Sequence, residues 1–214
     1  MLLYFTLPNN SPKDYFTLSD DVFFSLLVTL DTIPLSHPDT LLLDAAIFQA
    51  TNQARREHGL SPFNYDACLY KASSQHATYM VERNFYGHNN PFSPFEKTVD
   101  KRVDLCNKRF MRIGENIGRY QIIMSKDWLA VRWNKNTDQY DFIDPQDNRS
   151  ARPYTYSTYA HHVVSQWMAS PTHRSNILST TYTYIGCAAR LCMNPYKQRR
   201  PPFASTVQNF GSEK

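Results

Sequence analysis

Three short constellations in this 214-residue chain hold side chains able to do chemistry. Phe85-Tyr86-Gly87-His88-Asn89-Asn90-Pro91 places a histidine on a loop just past a helix. Gly114-Glu115-Asn116-Ile117-Gly118 sets an acid and an amide between two glycines. Ser170-Pro171-Thr172-His173-Arg174-Ser175-Asn176 follows a helix stop. Each puts an ionisable group at an element boundary, where a scaffold presents its working residues. Two histidines and one glutamate suit Zn²⁺ with an open fourth position, the ligand set of a hydrolytic site. They suit equally a neutral histidine pair polarised by a carboxylate. Ser170, His173 and Glu115 also contain the residue types of a nucleophile triad.

Spacing alone does not bring these groups together, since His88, Glu115 and His173 lie 27 and 58 residues apart. No H-E-x-x-H and no paired C-x-x-C is present. Each residue also has a plainer reading. Glu115 could accept backbone N–H groups in a tight turn. His173 could fix the loop after Pro171. No G-x-S-x-G elbow surrounds Ser170. His76 falls on a buried helical stripe and reads as a satisfied core histidine. Trp167 and Met168 read as core, and Arg174 and Asn176 as ties between loop and sheet.

The elements that must position them follow from periodicity. Leu43, Ile47, Ala50 and Ala54 recur at +4, +3, +4 across residues 41–58, one face of a helix closed by Gly59. Leu69, Ala72, His76 and Met80 mark a second helix, with Asn64 or Asp66 as its cap. Ala160, Val163, Val164, Trp167 and Met168 mark a third, stopped before Pro171. Residues 185–191 then alternate as a strand with two distinct faces. Residues 194–202 form a basic turn, and residues 205–210 return as a second strand. The stretch at about 119–156 has no clear period and reads as a long loop insertion, with room for one hairpin. Helices first and strands last predict an α+β fold layered around one sheet.

Composition bounds the function classes. The 23 Lys+Arg against 19 Asp+Glu give a net charge of +4, too mild to point to nucleic acid. Residues 1–40 carry one Lys and five Asp, so the body from 41 onward is +8. That body suits an anionic partner such as a headgroup or polysaccharide, although a solvated surface explains it as well. No apolar run approaches the roughly 18 residues of a membrane span, which argues against an integral membrane protein. Residues 22–30 (VFFSLLVTL) have the length of a signal core, but Asp20 and Asp21 precede them where a signal is positive. Residues 1–40 are accordingly read as an N-terminal extension, an atypical leader or a stretch packed on the domain. Cys187 and Cys192, five apart in a strand, should lie roughly 16 Å apart, beyond disulfide reach. Either the late cysteines pair with Cys68 and Cys106, or one pair stays reduced.

Beyond these readings there is a resemblance. Asn52-Gln53-Ala54-Arg55-Arg56-Glu57-His58-Gly59-Leu60 resembles the first-helix signature of the CAP superfamily (the SCP domain of cysteine-rich secretory proteins, antigen 5 and pathogenesis-related 1). Gly114-Glu115-Asn116-Ile117 is similar to its GEN motif. Residues 167–178 (WMASPTHRSNIL) resemble the corresponding segment of its bacterial-type members. Ile185-Gly186-Cys187-Ala188 and Val207-Gln208-Asn209-Phe210-Gly211 match its two late strands. The resemblance runs from about residue 41 to residue 211, with five motifs in order. It implies an α-β-α three-layer sandwich around a central, mostly antiparallel sheet in a secreted, extracellular protein. It also implies a cleft of two histidines and two acids that binds a divalent metal in some members. The histidines fall on His88 and His173 and one acid on Glu115. Where many eukaryotic members have the second acid, this chain has Ser170, so Zn²⁺ would be held weakly, by His88, Glu115 and His173. His161 and His162 are the candidates to compensate. The resemblance implies a non-enzymatic binding module for a lipid or sterol, a glycan or a cell-surface partner. The alternatives are a metal-assisted or Ser/His hydrolase and a purely structural polar network.

Overall fold

The computed structural model describes residues 15–125 and 128–213. Its centre is a four-stranded sheet in the order β1-β6-β7-β2. The strands are β1 (Asn64–Tyr65), β2 (Phe110–Gln121), β6 (Tyr184–Leu191) and β7 (Phe203–Glu213). β7 pairs antiparallel with both β2 and β6, and the short β1 runs parallel to β6. Helices α2 (Thr40–Glu57) and α5 (Tyr156–Ala169) cover one face, and α3 (Ala67–Glu82) covers the other. The fold is an α+β sandwich of three layers.

The predicted helices start and stop where their caps lie. The Asp39 carboxylate accepts from the Leu42 amide at 3.0 Å to open α2. Gly59 closes that helix at φ +71°, a conformation in which a Cβ would be strained. Asp66 opens α3 by accepting from the Leu69 amide at 2.8 Å. Thr155 and Thr158 cap α5 reciprocally. The stripes anticipated on all three helices are buried, with Met168 partly so. On β6 the side chains of Ile185, Cys187 and Ala189 join the α2/α5 core. Tyr184 and Gly186 face α3, where a Cβ on Gly186 would meet the Tyr70 backbone nitrogen at 2.0 Å. Glycine there lets helix and strand touch.

Several stretches hold structure that the sequence reading left open. Of the N-terminal extension, residues 1–14 lie outside the described residues, and residues 15–40, which show no period, lie against the α2/α5 side. α1 (Asp20–Phe24) is capped by Ser19, a 3-10 turn follows at Leu27–Leu30, and Phe16, Phe23, Leu26, Ile33 and Leu35 are buried. Asp20 and Asp21 pair with Arg56, and the Ile33 amide donates to the Tyr154 carbonyl at 2.9 Å. The stretch at about 119–156 is not a structureless loop. After the end of β2 it holds a second antiparallel sheet, β3 (Ala130–Asn134), β4 (Gln139–Asp144) and β5 (Arg149–Ser150). Its turns place Asp138 and Asn148 at positive φ, residues that tolerate this better than most. Pro171, read as a helix stop, is also the first residue of a further helix, α6 (Pro171–Ile177), where its missing N–H costs nothing. α4 (Val99–Asp104) was not anticipated. Of the cysteines, Cys68 and Cys106 form a disulfide, while Cys187 and Cys192 are buried free thiols, the second of the two alternatives that their spacing left open.

Candidate functional site

The site forms at the free edge of β2. Glu115 belongs to the extended strand rather than to a tight turn, and its side chain is buried. His88 arrives from the loop after α3 and donates through Nδ1 to Glu115 Oε1 at 2.8 Å. Its own side chain is 56% exposed. The other carboxylate oxygen, Oε2, takes a hydrogen bond from Arg102 of α4, whose guanidinium is fully buried. Arg102 also donates to the carbonyl of His88 at 3.1 Å and to that of Glu96 at 3.2 Å, tying the loop to the ion pair. The Asn209 amide, with its nitrogen toward Glu115 Oε2 and its oxygen toward the Ser73 hydroxyl, adds contacts of 3.1 Å to each.

His173 comes from the opposite face of the sheet, on α6. The Asn116 amide nitrogen donates to the His173 carbonyl and to Gln208 Oε1, each at 3.2 Å. Asn176 donates to Asn116 Oδ1 at 2.8 Å and to the Glu115 carbonyl at 3.4 Å. Gln208 continues the chain to the Thr51 hydroxyl of α2 at 2.6 Å. Asn176 therefore fixes α6 to the sheet, as its sequence position suggested. The Ile117 carbonyl on the same edge accepts from Trp167 Nε1 and from the Tyr86 hydroxyl, both at 3.3 Å.

His88 and His173 feel one another electrostatically, although no hydrogen bond joins them. The hydrogen bond to Glu115, and secondarily its charge, raises the His88 pKa against the effect of burial. Burial, and then the His88 charge, lowers that of His173. His173 Nδ1 is buried without a hydrogen-bond partner. Ser170 lies between α5 and α6, and no hydrogen bond connects it to His173. His161 and His162 point away from the cleft: His161 bonds Gln53 at 2.8 Å and packs on Phe24, while His162 stacks on Tyr154.

His76 is buried beneath the cleft and donates through Nε2 to the Gly87 carbonyl at 2.9 Å, supporting the His88 loop. Burial first, then the Arg102 charge, pushes its pKa down to about 4. The native state thus refuses a proton that the unfolded chain accepts near pH 6.5. Stability from neutral His76 is complete above that pH and is lost as the pH falls toward about 4, roughly 3 kcal/mol in all. Chemical denaturation of wild type and His76→Gln at pH 7 and pH 4.5 should show a smaller acid loss in the variant. Equal losses would remove His76 as the cause.

Arg102 is the residue that sequence reading missed. It supplies a fixed, fully buried cation that balances Glu115. Among the described residues, no group of three or more His, Cys, Asp or Glu side chains is placed to hold a metal ion. Each oxygen of Glu115 is engaged, Oε1 by His88 and Oε2 by Arg102. Two imidazoles remain.

The profile of the "Cysteine-rich secretory protein family" (CAP) matches residues 48–210, three quarters of the chain and every element of the cleft. The chain belongs to the cysteine-rich secretory protein family. A protein of similar sequence, "Uncharacterized protein YkwD" of Bacillus subtilis, is 25% identical over 142 residues, or 65% of this chain. The chain spans only 39% of that relative's length. Among solved structures, an extracellular SCP-domain protein from Bacillus anthracis superposes with a TM-score of 0.51 at 20% identity, over 81% of this chain and 41% of its own. An outer surface protein from Borrelia burgdorferi gives 0.48 at 16% identity, over 78% and 90%. At 20% identity the likeness to the Bacillus anthracis protein speaks for the fold alone. In this cysteine-rich secretory protein family member the GEN segment is the edge strand that both flanking layers grip, and the S-P-x-H-R-x-N-I-L segment is the helix that does the gripping. No helix among the described residues is long and apolar enough to cross a membrane.

Proposed function

We propose that the chain is an extracellular, non-enzymatic binding module whose ligand seats against His88 and His173 at the β2 edge. The observation that carries this reading is the engagement of Glu115. Its carboxylate is neutralised by Arg102 and holds His88 by Nδ1, so it orients an imidazole and is not free to take a proton from water. The exposed His88 ring, with Tyr86 and Phe92 exposed beside it, offers a polar edge within an aromatic rim. That combination favours an uncharged, hydroxyl-bearing ligand such as a sterol or glycan. The extracellular setting is supported by the likeness to the extracellular SCP-domain protein of Bacillus anthracis, and by the disulfide, which needs an oxidising compartment.

The hydrolase alternative lacks support. An activated serine needs a base within hydrogen-bond reach, and Ser170 has none. Zn²⁺ on the imidazole pair alone would be held weakly, because two ligands are fewer than either structural or catalytic zinc uses. The test is a panel of labelled sterol, fatty acid and cell-wall glycan, run on wild type and His88→Ala/His173→Ala beside ester and peptide hydrolysis assays. At least one ligand should bind and weaken about tenfold or more in the double variant, a loss of 1.4 kcal/mol or more. Turnover abolished by both Ser170→Ala and His173→Ala would overturn the reading. Zinc calorimetry on the same pair should give weak binding that disappears in the variant.

A further inference from the structure

A second polar feature lies further along β2 and shares with the cleft only the Tyr86 ring at its rim. Arg119 is on the same strand face as Glu115, four residues on, which places it roughly 14 Å away along the strand. Its guanidinium carbon is 4.8 Å from the centroid of Phe203 and 5.3 Å from that of Tyr86. Arg200, from the basic turn, stacks on the same Phe203 ring at 4.3 Å. One phenylalanine thus carries two cations, whose separation is bounded at about 9 Å by the two ring distances.

The two cations share one ring and have no counter-charge. The buried or half-buried arginines Arg102, Arg109 and Arg190 meet Glu115, Asp66 and Asp44. Arg55, which lacks one, is satisfied by the carbonyls of Ser61, Ile177 and Ser179. No ion pair among the described residues involves Arg119 or Arg200. Arg119 donates to the Phe85 carbonyl at 2.6 Å, but its Nε is buried without a partner. Arg200 donates only to the Gln198 side chain, at 2.8 Å. Neighbouring Lys197 is already paired with Asp138. Burial, and then the Arg200 charge, lowers the Arg119 pKa, so the arrangement works against its own cation.

From this geometry we infer that Arg119 and Arg200 form a binding site for a phosphate-class oxyanion, distinct from the His88–His173 cleft. The stacked rings hold both planar forks in place, and such forks match phosphate oxygens in two-point hydrogen bonds. A single tetrahedral group between them would relieve the like-charge repulsion. The shared chemistry is the phosphate, whether free, as a soluble ester or as a lipid headgroup.

The test uses the full chain with inorganic phosphate in calorimetry, and with phosphatidylcholine vesicles, with and without phosphatidylglycerol, in co-sedimentation. Arg200→Gln is the main variant because Arg200 is exposed and its loss leaves the fold intact. Arg119→Gln is the companion, and Lys197→Gln and Arg199→Gln are controls of equal charge change. Wild type is expected to bind at least one probe, and Arg200→Gln to weaken it about tenfold or more. The controls should change it by no more than about twofold. Phosphate binding without vesicle binding assigns a soluble phosphate or ester. Phosphatidylglycerol-dependent sedimentation that phosphate displaces assigns a headgroup. Failure of wild type to bind either probe overturns the inference, as does a loss in Arg199→Gln equal to that in Arg200→Gln.

Discussion

Arg102→Met is expected to destabilise the protein by about 3–5 kcal/mol, the cost of stranding a buried carboxylate without its partner. For a domain of this size that is a fall in melting temperature of roughly 10 °C or more. The guanidinium is fully buried and meets both Glu115 and the backbone of the His88 loop, so its loss strikes charge and geometry together. Adding Glu115→Gln to the variant should return much of the loss, because it removes the orphaned charge. The His88 pKa supplies a second readout. Arg102 holds that pKa down, so its removal alone should raise it, as NMR titration of the ring would show. A loss below about 1 kcal/mol, or no recovery in the double variant, would mean that Arg102 does not balance Glu115.

The second large effect concerns the covalent link that keeps Arg102 in place. The Cys68–Cys106 disulfide spans 38 residues and ties the first turn of α3 to the segment just after α4. Loop-closure entropy for that length gives roughly 4 kcal/mol. Cys106 is exposed, so a mild reductant should reach the bond. Denaturant unfolding with and without reductant should show a fall of about 2–4 kcal/mol. The His88 pKa should also rise further in the reduced protein, as α4 loosens and the Arg102 charge moves away. A difference under about 1 kcal/mol would show that packing alone fixes α4.

Much of the scaffold was legible because its signals are local. The stripes of α2 and α3 repeat for about three turns and that of α5 for more than two, and Asp66 and Gly59 mark ends by their own chemistry. The alternation of residues 185–191 identified a strand with two packed faces. The inserted sheet was hidden because β5 has two residues and β3 has five, too few to establish a period. Only Asp138 and Asn148 hinted at its turns. α4 was hidden for the same reason: six residues, four of them charged, with Thr98 as cap and Val99 and Val103 as the apolar pair. Nothing near Arg102 marks it as buried, since Lys101 and Asp104 beside it are ordinary surface residues. The motifs located His88, Glu115 and His173. That His88 bonds Glu115 while His173 does not depends on partners scattered from Ser73 to Asn209. Pro171 misled because a proline that ends one helix is equally suited to begin the next.

The strand that carries the site is also the end of the sheet, and ends of sheets invite strand addition by other chains. Here the Glu115 and Ile117 carbonyls are covered by Asn176, Trp167 and Tyr86, side chains from both flanking layers. The cleft and the guard against self-association are therefore one structure. A substitution that frees α6 opens a row of hydrogen-bonding groups to any neighbouring molecule. Loss of solubility would then accompany loss of binding, and these positions answer to the concentration of the protein as well as to its ligand.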